Sequence, residues 1–356
     1  MEGANKPQKT AARRSTVLPA LRGGIDLGGT KIEAIVVDNE NTVLGSSRHP
    51  TPSTGGPEDV AAELVATMNA ACQAAGTESS ALLGVGVGSP GVVESATGTV
   101  STARNLPGWN GSFALGPALE SALGTKVAVG NDVQVATDAE FALGAGKPYK
   151  SLLGVMWGTG VGGGIILDGK PWVGRGGAGE IGHMVVEMGG ARCPCGRRGC
   201  MEAYAGRAAM EARARKRQKE QRTDLFKIMK ERGRTKLTSS VWARALERKD
   251  RLATELINEA VEALGAGIAS AINLLDVPAV VIGGGLGVRL GEPYVKRIRK
   301  AMQPHLFNDA VEALGAGIAS AINLLDVPAV IIGGGLGVRL GEPYVKKIRK
   351  AMQPHL

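Results

Sequence analysis

Twice along its length the chain runs an apolar segment into a short glycine turn and back into an apolar segment. In the first instance Gly28-Gly-Thr30 separates a segment ending near Asp26 from residues 31–38, where Ile32, Ala34 and Val36 alternate. In the second, Gly158-Thr159-Gly160 separates residues 152–157 from 164–167, and Asp168-Gly169 supplies a further turn. Alternation of period two bounded by glycine is the mark of a β-hairpin. A turn without Cβ atoms also lets backbone N–H groups come close to phosphate oxygens. Either turn alone reads as an ordinary hairpin; two at matching positions favour phosphate binding. Asp26, ending the first strand, could hold Mg²⁺ through water.

Around these turns the elements fall into two α/β halves. Residues 42–47 supply a third strand, and 57–75 carry a helical pattern with Pro57 at its start and Gly76 beyond its end. Residues 82–88 predict a buried strand that stops at Ser89-Pro-Gly91, and a loop region follows to Trp109. A helix over 113–123, a strand over 126–129 and a helix after Asn131-Asp132 complete the order βββαβαβα. Residue 152 opens a second, similar half. The expected architecture is two α/β lobes with a cleft between them, a small one over 23–130 and a large one over 131–307. A chain of 356 residues can hold two such domains.

Residues 258–306 recur as 308–356, differing only at Glu259/Asp309, Val281/Ile331 and Arg297/Lys347. Solenoid repeats number at least three and diverge more freely, so a recent tandem duplication or a sequence-assembly artefact fits better. Gly86, Gly88 and Gly91, and likewise Gly158, Gly160 and Gly163, match the dinucleotide pattern G-x-G-x-x-G. In neither place does a helix start follow, so the Rossmann reading fails on context. No P-loop is present either: Gly146-Lys147 is followed by Pro148.

The formal charge of +9 falls largely in the tail over 6–22 and in residues 213–236. Such charge speaks to solubility and non-specific attraction, and a solvated tail and helix face account for it better than a nucleic-acid arm. The first 22 residues lack the apolar core of a signal peptide, and no apolar run is long enough to span a bilayer. Three of the four cysteines crowd into Cys193-Pro-Cys195-Gly-Arg-Arg-Gly-Cys200, with His183 ten residues before the first. This clustering reads as metal ligation in the reducing cytoplasm rather than as a disulfide framework. A His-Cys₃ set is a closed tetrahedral zinc site, structural rather than catalytic. Cys72, alone in a helical pattern, reads as packing. Asp132 stands where a strand passes into a helix. A carboxylate there could take a proton from an attacking hydroxyl, or equally serve as a helix N-cap.

These pieces together resemble the ROK family (repressor, open reading frame, kinase), and within it the bacterial glucokinases. The resemblance rests on Asp26-Leu-Gly-Gly-Thr-Lys31, Asn105-Leu-Pro-Gly-Trp109, Asn131-Asp132, Gly158-Thr-Gly-Val-Gly-Gly-Gly164, Glu180-Ile-Gly-His183 and Cys193-Pro-Cys-Gly-Arg-Arg-Gly-Cys-Met-Glu202, and covers about residues 23–306. It implies an actin-like, ribonuclease H-type fold in two lobes, binding ATP, Mg²⁺ and a hexose, with glucose first. It implies Asp132 as the base for the sugar 6-hydroxyl, and Asn105, Asn131, Asp132, Glu180, His183 and Glu202 as sugar-binding residues. Phosphates would meet Asp26, Gly28, Gly29, Thr30, Lys31, Gly158, Thr159 and Gly160, and Gly284 and Gly285 would lie beside the adenine. His183 would touch the sugar with one ring nitrogen and structural Zn²⁺ with the other, alongside Cys193, Cys195 and Cys200. The family also implies a homodimer or higher homo-oligomer. Mannose, fructose, N-acetylmannosamine or allose as acceptor, and polyphosphate as donor, stand as alternatives. A sugar-responsive repressor is the alternative of another class; 22 residues before Gly23 are too few for a helix-turn-helix domain. Of the two duplicate copies, the first stands at the expected distance from Glu202 to supply the adenine-side glycines.

Overall fold

The computed structural model describes residues 20–307, 342 and 346–350. Most of the basic tail and most of the second duplicate copy therefore lie outside the described residues. The chain divides into two compact units, one ending at Asp132 and the other beginning at Val133.

In the first unit β1 (Arg22–Leu27), β2 (Lys31–Val37) and β3 (Val43–Pro50) run antiparallel, α1 (Pro57–Ala74) follows, and β4 (Val85–Ser89) returns parallel to β1. Next come β5 (Val92–Glu94), β6 (Thr99–Ser101), β7 (Ser112–Phe113), α2 (Leu115–Leu123) and β8 (Val127–Asn131), which pairs parallel with β4. The five-stranded sheet thus has the order β3-β2-β1-β4-β8. The alternating Ile32, Ala34 and Val36 of β2 are buried, and Val60, Leu64, Met68 and Ala71 of α1 lie in the same core at helical spacing. Gly124, in the left-handed region at φ 67°, ends α2 as a glycine cap does.

The region expected to be loop up to Trp109 differs: it holds β5 and β6, which with β7, at the expected start of the helix over 113–123, form a separate three-stranded antiparallel sheet. Strands of two or three residues carry too few alternations to show a period, and pairing rather than propensity makes them. Buried Trp109 anchors this sheet, its Nε1 donating to the Val100 carbonyl at 3.1 Å and its ring meeting Phe113 edge-on at 5.8 Å.

The second unit takes α3 (Asp132–Ala142) almost whole, then β9 (Leu152–Trp157), β10 (Val161–Leu167) and β11 (Lys170–Pro171). Helices α4 (Met201–Ala205), α5 (Arg207–Arg217), α6 (Leu225–Glu231), α7 (Ser239–Glu247) and α8 (Arg251–Leu275) precede β12 (Val280–Gly283), α9 (Gly284–Leu290) and α10 (Glu292–Met302). Its sheet has the order β11-β10-β9-β12, with β9 and β10 antiparallel and β12 parallel to β9. This repeats the start of the first unit: a hairpin closed by a glycine turn, then a strand parallel to its first arm.

Strand β10 begins at Val161, three residues earlier than its apolar run suggests, because Gly162, Gly163 and Gly164 pair with Met156, Val155 and Gly154. Helix α3 explains glycine there. A Cβ on Gly154 or Gly164 would come 2.2 or 2.3 Å from Thr137 Oγ1, so the helix lies directly on the strands. Buried Gln134 of α3 then bridges to β10, accepting from Ile165 N at 3.1 Å. Asp250 caps α8, accepting from Ala253 N at 2.8 Å. The basic stretch over 213–236 is helical in α5 and α6, and part of its charge is taken up internally, Arg213 and Arg217 both pairing with Glu259 of α8. Among the described residues no helix is long and apolar enough to cross a membrane.

Candidate functional site

In the first unit the parallel strands β1, β4 and β8 end together: Asp26 pairs in register with Gly88, and Gly88 with Gly130. Side chains at the carboxyl ends of parallel strands are where open α/β sheets gather ligands. Asp26, Asn131 and Asp132 all sit at this edge, and Asn131 Nδ2 donates to the Gly91 carbonyl at 3.3 Å. The turn Gly28–Thr30 is closed by Gly28 N donating to the Lys31 carbonyl at 2.9 Å, and Thr51 Oγ1 holds the Gly28 carbonyl at 2.6 Å. Asn105 lies against this turn: a Cβ on Gly29 would be 3.1 Å from Asn105 Nδ2. Lys31 Nζ pairs with Glu33, which also takes Arg48. Partial desolvation raises the Asp26 pKa above the ordinary carboxylate value, and Lys31 pulls it part of the way back.

In the second unit the loop between β11 and α4 folds on itself through Val186 N to the Gly199 carbonyl at 2.8 Å and Cys193 N to the Arg197 carbonyl at 2.9 Å. Tyr204 Oη accepts from Ala191 N at 2.6 Å and ties the loop to α4. This folding gathers His183, Cys193, Cys195 and Cys200, whose ligand atoms all lie within 4.8 Å of one another. Cys195 Sγ and Cys200 Sγ are 3.7 Å apart, as are Cys193 Sγ and His183 Nδ1. A tetrahedral zinc with sulfur at ~2.3 Å sets neighbouring ligand atoms ~3.8 Å apart. The residues fit the ion. The Arg197 backbone N–H, with its guanidinium, brings the Cys195 thiol down to about 6, while burial pushes Cys193 up to about 12.

Two carboxylates stand beside this cluster. With Nδ1 turned to Cys193, His183 presents Nε2 to Glu180 Oε2 at 3.8 Å. Glu202, on α4, places Oε1 4.0 Å from Cys193 Sγ and accepts from Val161 N with Oε2 at 2.9 Å. Glu202 therefore links the cluster to the second glycine turn, where a Cβ on Gly160 would fall 2.3 Å from its carboxylate. Gly285 N lies 3.9 Å from the Cβ position of Gly158, so the segment opening α9 adjoins that turn. One residue that the sequence reading passed over also reaches it. Arg207 Nη2 donates to Thr159 Oγ1 at 2.6 Å; its only signal was an arginine following Gly206 directly after the Glu202 helix.

Each unit carries a glycine turn in a hairpin; the first adds Asn131-Asp132 at a strand end, the second a His-Cys₃ cluster beside Glu202. The family model described as ROK family matches residues 22–313. This chain belongs to the ROK family. A glucokinase of Thermotoga maritima is 32% identical over 76% of this chain and 83% of its own length. An N-acetylgalactosamine kinase of Shewanella sp. is also 32% identical, over 74% of this chain and 81% of its own. The crystal structure of a ROK family glucokinase from Streptomyces griseus, in complex with glucose and AMPPNP, superimposes with a TM-score of 0.69 at 32% identity, covering 80% of this chain and 89% of that one. The fold is accordingly the actin-like α/β fold of ROK sugar kinases, and the His-Cys₃ cluster fits the structural zinc site of this family.

Proposed function

We propose that this ROK-family sugar kinase is a glucokinase, transferring the γ-phosphoryl group of ATP to the 6-hydroxyl of glucose. Asp132 accepts the hydroxyl proton as that oxygen attacks phosphorus. Asn105, Asn131, Glu180, His183 and Glu202 hydrogen-bond the sugar, and Asp132 also holds it through the reacting hydroxyl. The backbone of Gly28, Gly29 and Thr30 and that of Gly158, Thr159 and Gly160 receive the phosphates, with Lys31 nearby. Asp26 would hold Mg²⁺, which would neutralise developing phosphate charge. Gly284 and Gly285 adjoin the adenine. His183, Cys193, Cys195 and Cys200 would hold the structural zinc, which would fix the imidazole with Nε2, beside Glu180, turned to meet a sugar hydroxyl.

The observation that supports this reading best is the orientation of His183: Nδ1 faces the thiols while Nε2 stands beside Glu180. A donor and a carboxylate so paired suit adjacent hydroxyls of a hexose. A coupled assay across glucose, mannose, fructose, N-acetylmannosamine and allose, with ATP and polyphosphate as donors, tests it. Glucose with ATP should give the highest kcat/KM. Asp132→Asn should lose about 10²–10⁴ in kcat while binding glucose within a few-fold of the wild type; unimpaired turnover would refute the base assignment.

A further inference from the structure

Helix α5 meets the second glycine turn end-on. Arg207 N and Ala208 N, among the first N–H groups of the helix, donate to the Gly158 and Thr159 carbonyls at 3.2 and 3.0 Å. Helix N-terminal donors have no partner inside the helix, so this contact satisfies both sides. With their carbonyls taken up by α5, Gly158 and Thr159 have their acceptors occupied on that side.

The Arg207 side chain completes the arrangement. Its Nη2 donates to Thr159 Oγ1 at 2.6 Å and its Nη1 to the Leu237 carbonyl at 3.1 Å, while Nε is buried and without a partner among the described residues. Both acceptors are neutral. Glu211, the carboxylate one turn along α5, is engaged by Arg215 and by Leu237 N. Desolvation by burial lowers the Arg207 pKa, and the Glu211 carboxylate pulls it part of the way back. A half-buried cation whose hydrogen bonds go to neutral acceptors, and whose neighbouring carboxylate is shared with Arg215, is incompletely compensated, and an approaching anion would relieve that. Guanidinium can only donate, so Thr159 Oγ1 must be the acceptor of this bond, and its own proton is directed elsewhere.

We propose that Arg207 is a positioning residue for the phosphoryl donor: it fixes the Thr159 hydroxyl with its proton available to a phosphate oxygen, and it sets a positive charge behind the Gly158–Gly160 turn. The inference rests on the assignment of that turn to nucleotide phosphates, and it adds a residue outside the turn on which binding depends.

The test is a double-mutant cycle on the full chain with Arg207→Met, Thr159→Val and the double variant, plus Arg207→Lys. Calorimetry with a non-hydrolysable ATP analogue, without sugar, reads nucleotide binding apart from any assumption about the acceptor. Arg207→Met should weaken analogue binding and raise the KM for ATP about tenfold, leaving glucose Kd within twofold. Thr159→Val, which keeps the charge, should lose affinity in the same direction but less; the double variant should be no worse than Arg207→Met, and Arg207→Lys should recover part of the loss. Analogue affinity within twofold of wild type in Arg207→Met, or losses that multiply in the double variant, would overturn the proposal. So would equal losses of glucose and analogue binding, which mark a purely structural role. Thr159 is exposed, so Thr159→Val keeps the test decisive if Arg207→Met does not fold; full analogue affinity there overturns it as well. A wild type that binds the analogue but phosphorylates no hexose would instead count against the glucokinase assignment alone.

Discussion

Asp26 shows the conflict between stability and use at a single side chain. Desolvation at the end of β1 raises its pKa, so the folded state disfavours the ionised form that would attract Mg²⁺. A raised carboxylate pKa weakens the fold above the folded-state pKa and has no effect below the ordinary carboxylate value near 4. Asp26→Asn should therefore melt at a higher temperature than the wild type at pH 8. That advantage should fade as pH falls and vanish by about pH 3, while kcat collapses at every pH. Melting scans across that range check this, and a lower melting temperature at pH 8 would show that the carboxylate is stabilised where it sits. The identity of Asp26 as an acidic residue at a strand end could be read from the sequence. Its altered pKa could not, since it depends on what β4 and the glycine turn place around it.

The loop over 184–200 is an element that makes little regular structure of its own: two isolated bridges, Val185 with Cys200 and Arg192 with Arg198, are its pairing. Its backbone is tied at a few points and its three thiols converge on one, so a bound zinc would stabilise it directly. About one zinc per chain should be found by elemental analysis. Stripping it with a chelator, or making Cys200→Ser, should lower the melting temperature and raise the glucose KM roughly 10–100-fold through His183 and Glu202. The KM for ATP should move less. Equal glucose KM in the stripped protein would disconnect the cluster from the sugar. This cluster was legible in sequence because metal ligation needs particular residue types at short spacing. The β5–β7 sheet was not legible, because strands of two or three residues carry no period, and the start of β10 was hidden by glycines that only the closeness of α3 explains. Arg207 escaped for a similar reason: its partner Thr159 is forty-eight residues away in sequence, and nothing local marks the pair.

At the scale of the whole molecule the duplicated segment poses a choice between two nearly identical pieces of chain. In the described structure the first copy supplies the second half of α8, then β12, α9 and α10, and its Ala260, Val261, Leu264, Ile268, Ile298 and Ala301 are in the core. The second copy carries the same residues at Ala310, Val311, Leu314, Ile318, Ile348 and Ala351, and the family match ends at residue 313, a few residues into it. Removing 308–356 should therefore leave kinase activity and nucleotide affinity intact, with Gly283, Gly284 and Gly285 serving the nucleotide. Removing 258–307 instead joins Ile257 to Asn308 and restores every buried position. The three differences then set the cost, with the loss of Phe307, whose N donates to Asn273 Oδ1 at 3.0 Å and which has no counterpart after Leu356. Asp309 is one methylene shorter than Glu259, which pairs with Arg213 and Arg217; Lys347 replaces Arg297, which donates to Asn258 and lies over the Tyr294 ring at 4.8 Å; Ile331 adds one methyl group at the position of half-buried Val281. Partly exposed ion pairs and cation–π contacts are worth about 1 kcal/mol or less each. The second deletion should thus fold and phosphorylate with a melting temperature only a few degrees below the first. Loss of activity and nucleotide affinity in the 308–356 deletion would show that the second copy is required, and failure of the 258–307 deletion to fold would show that the small differences decide which copy the fold accepts.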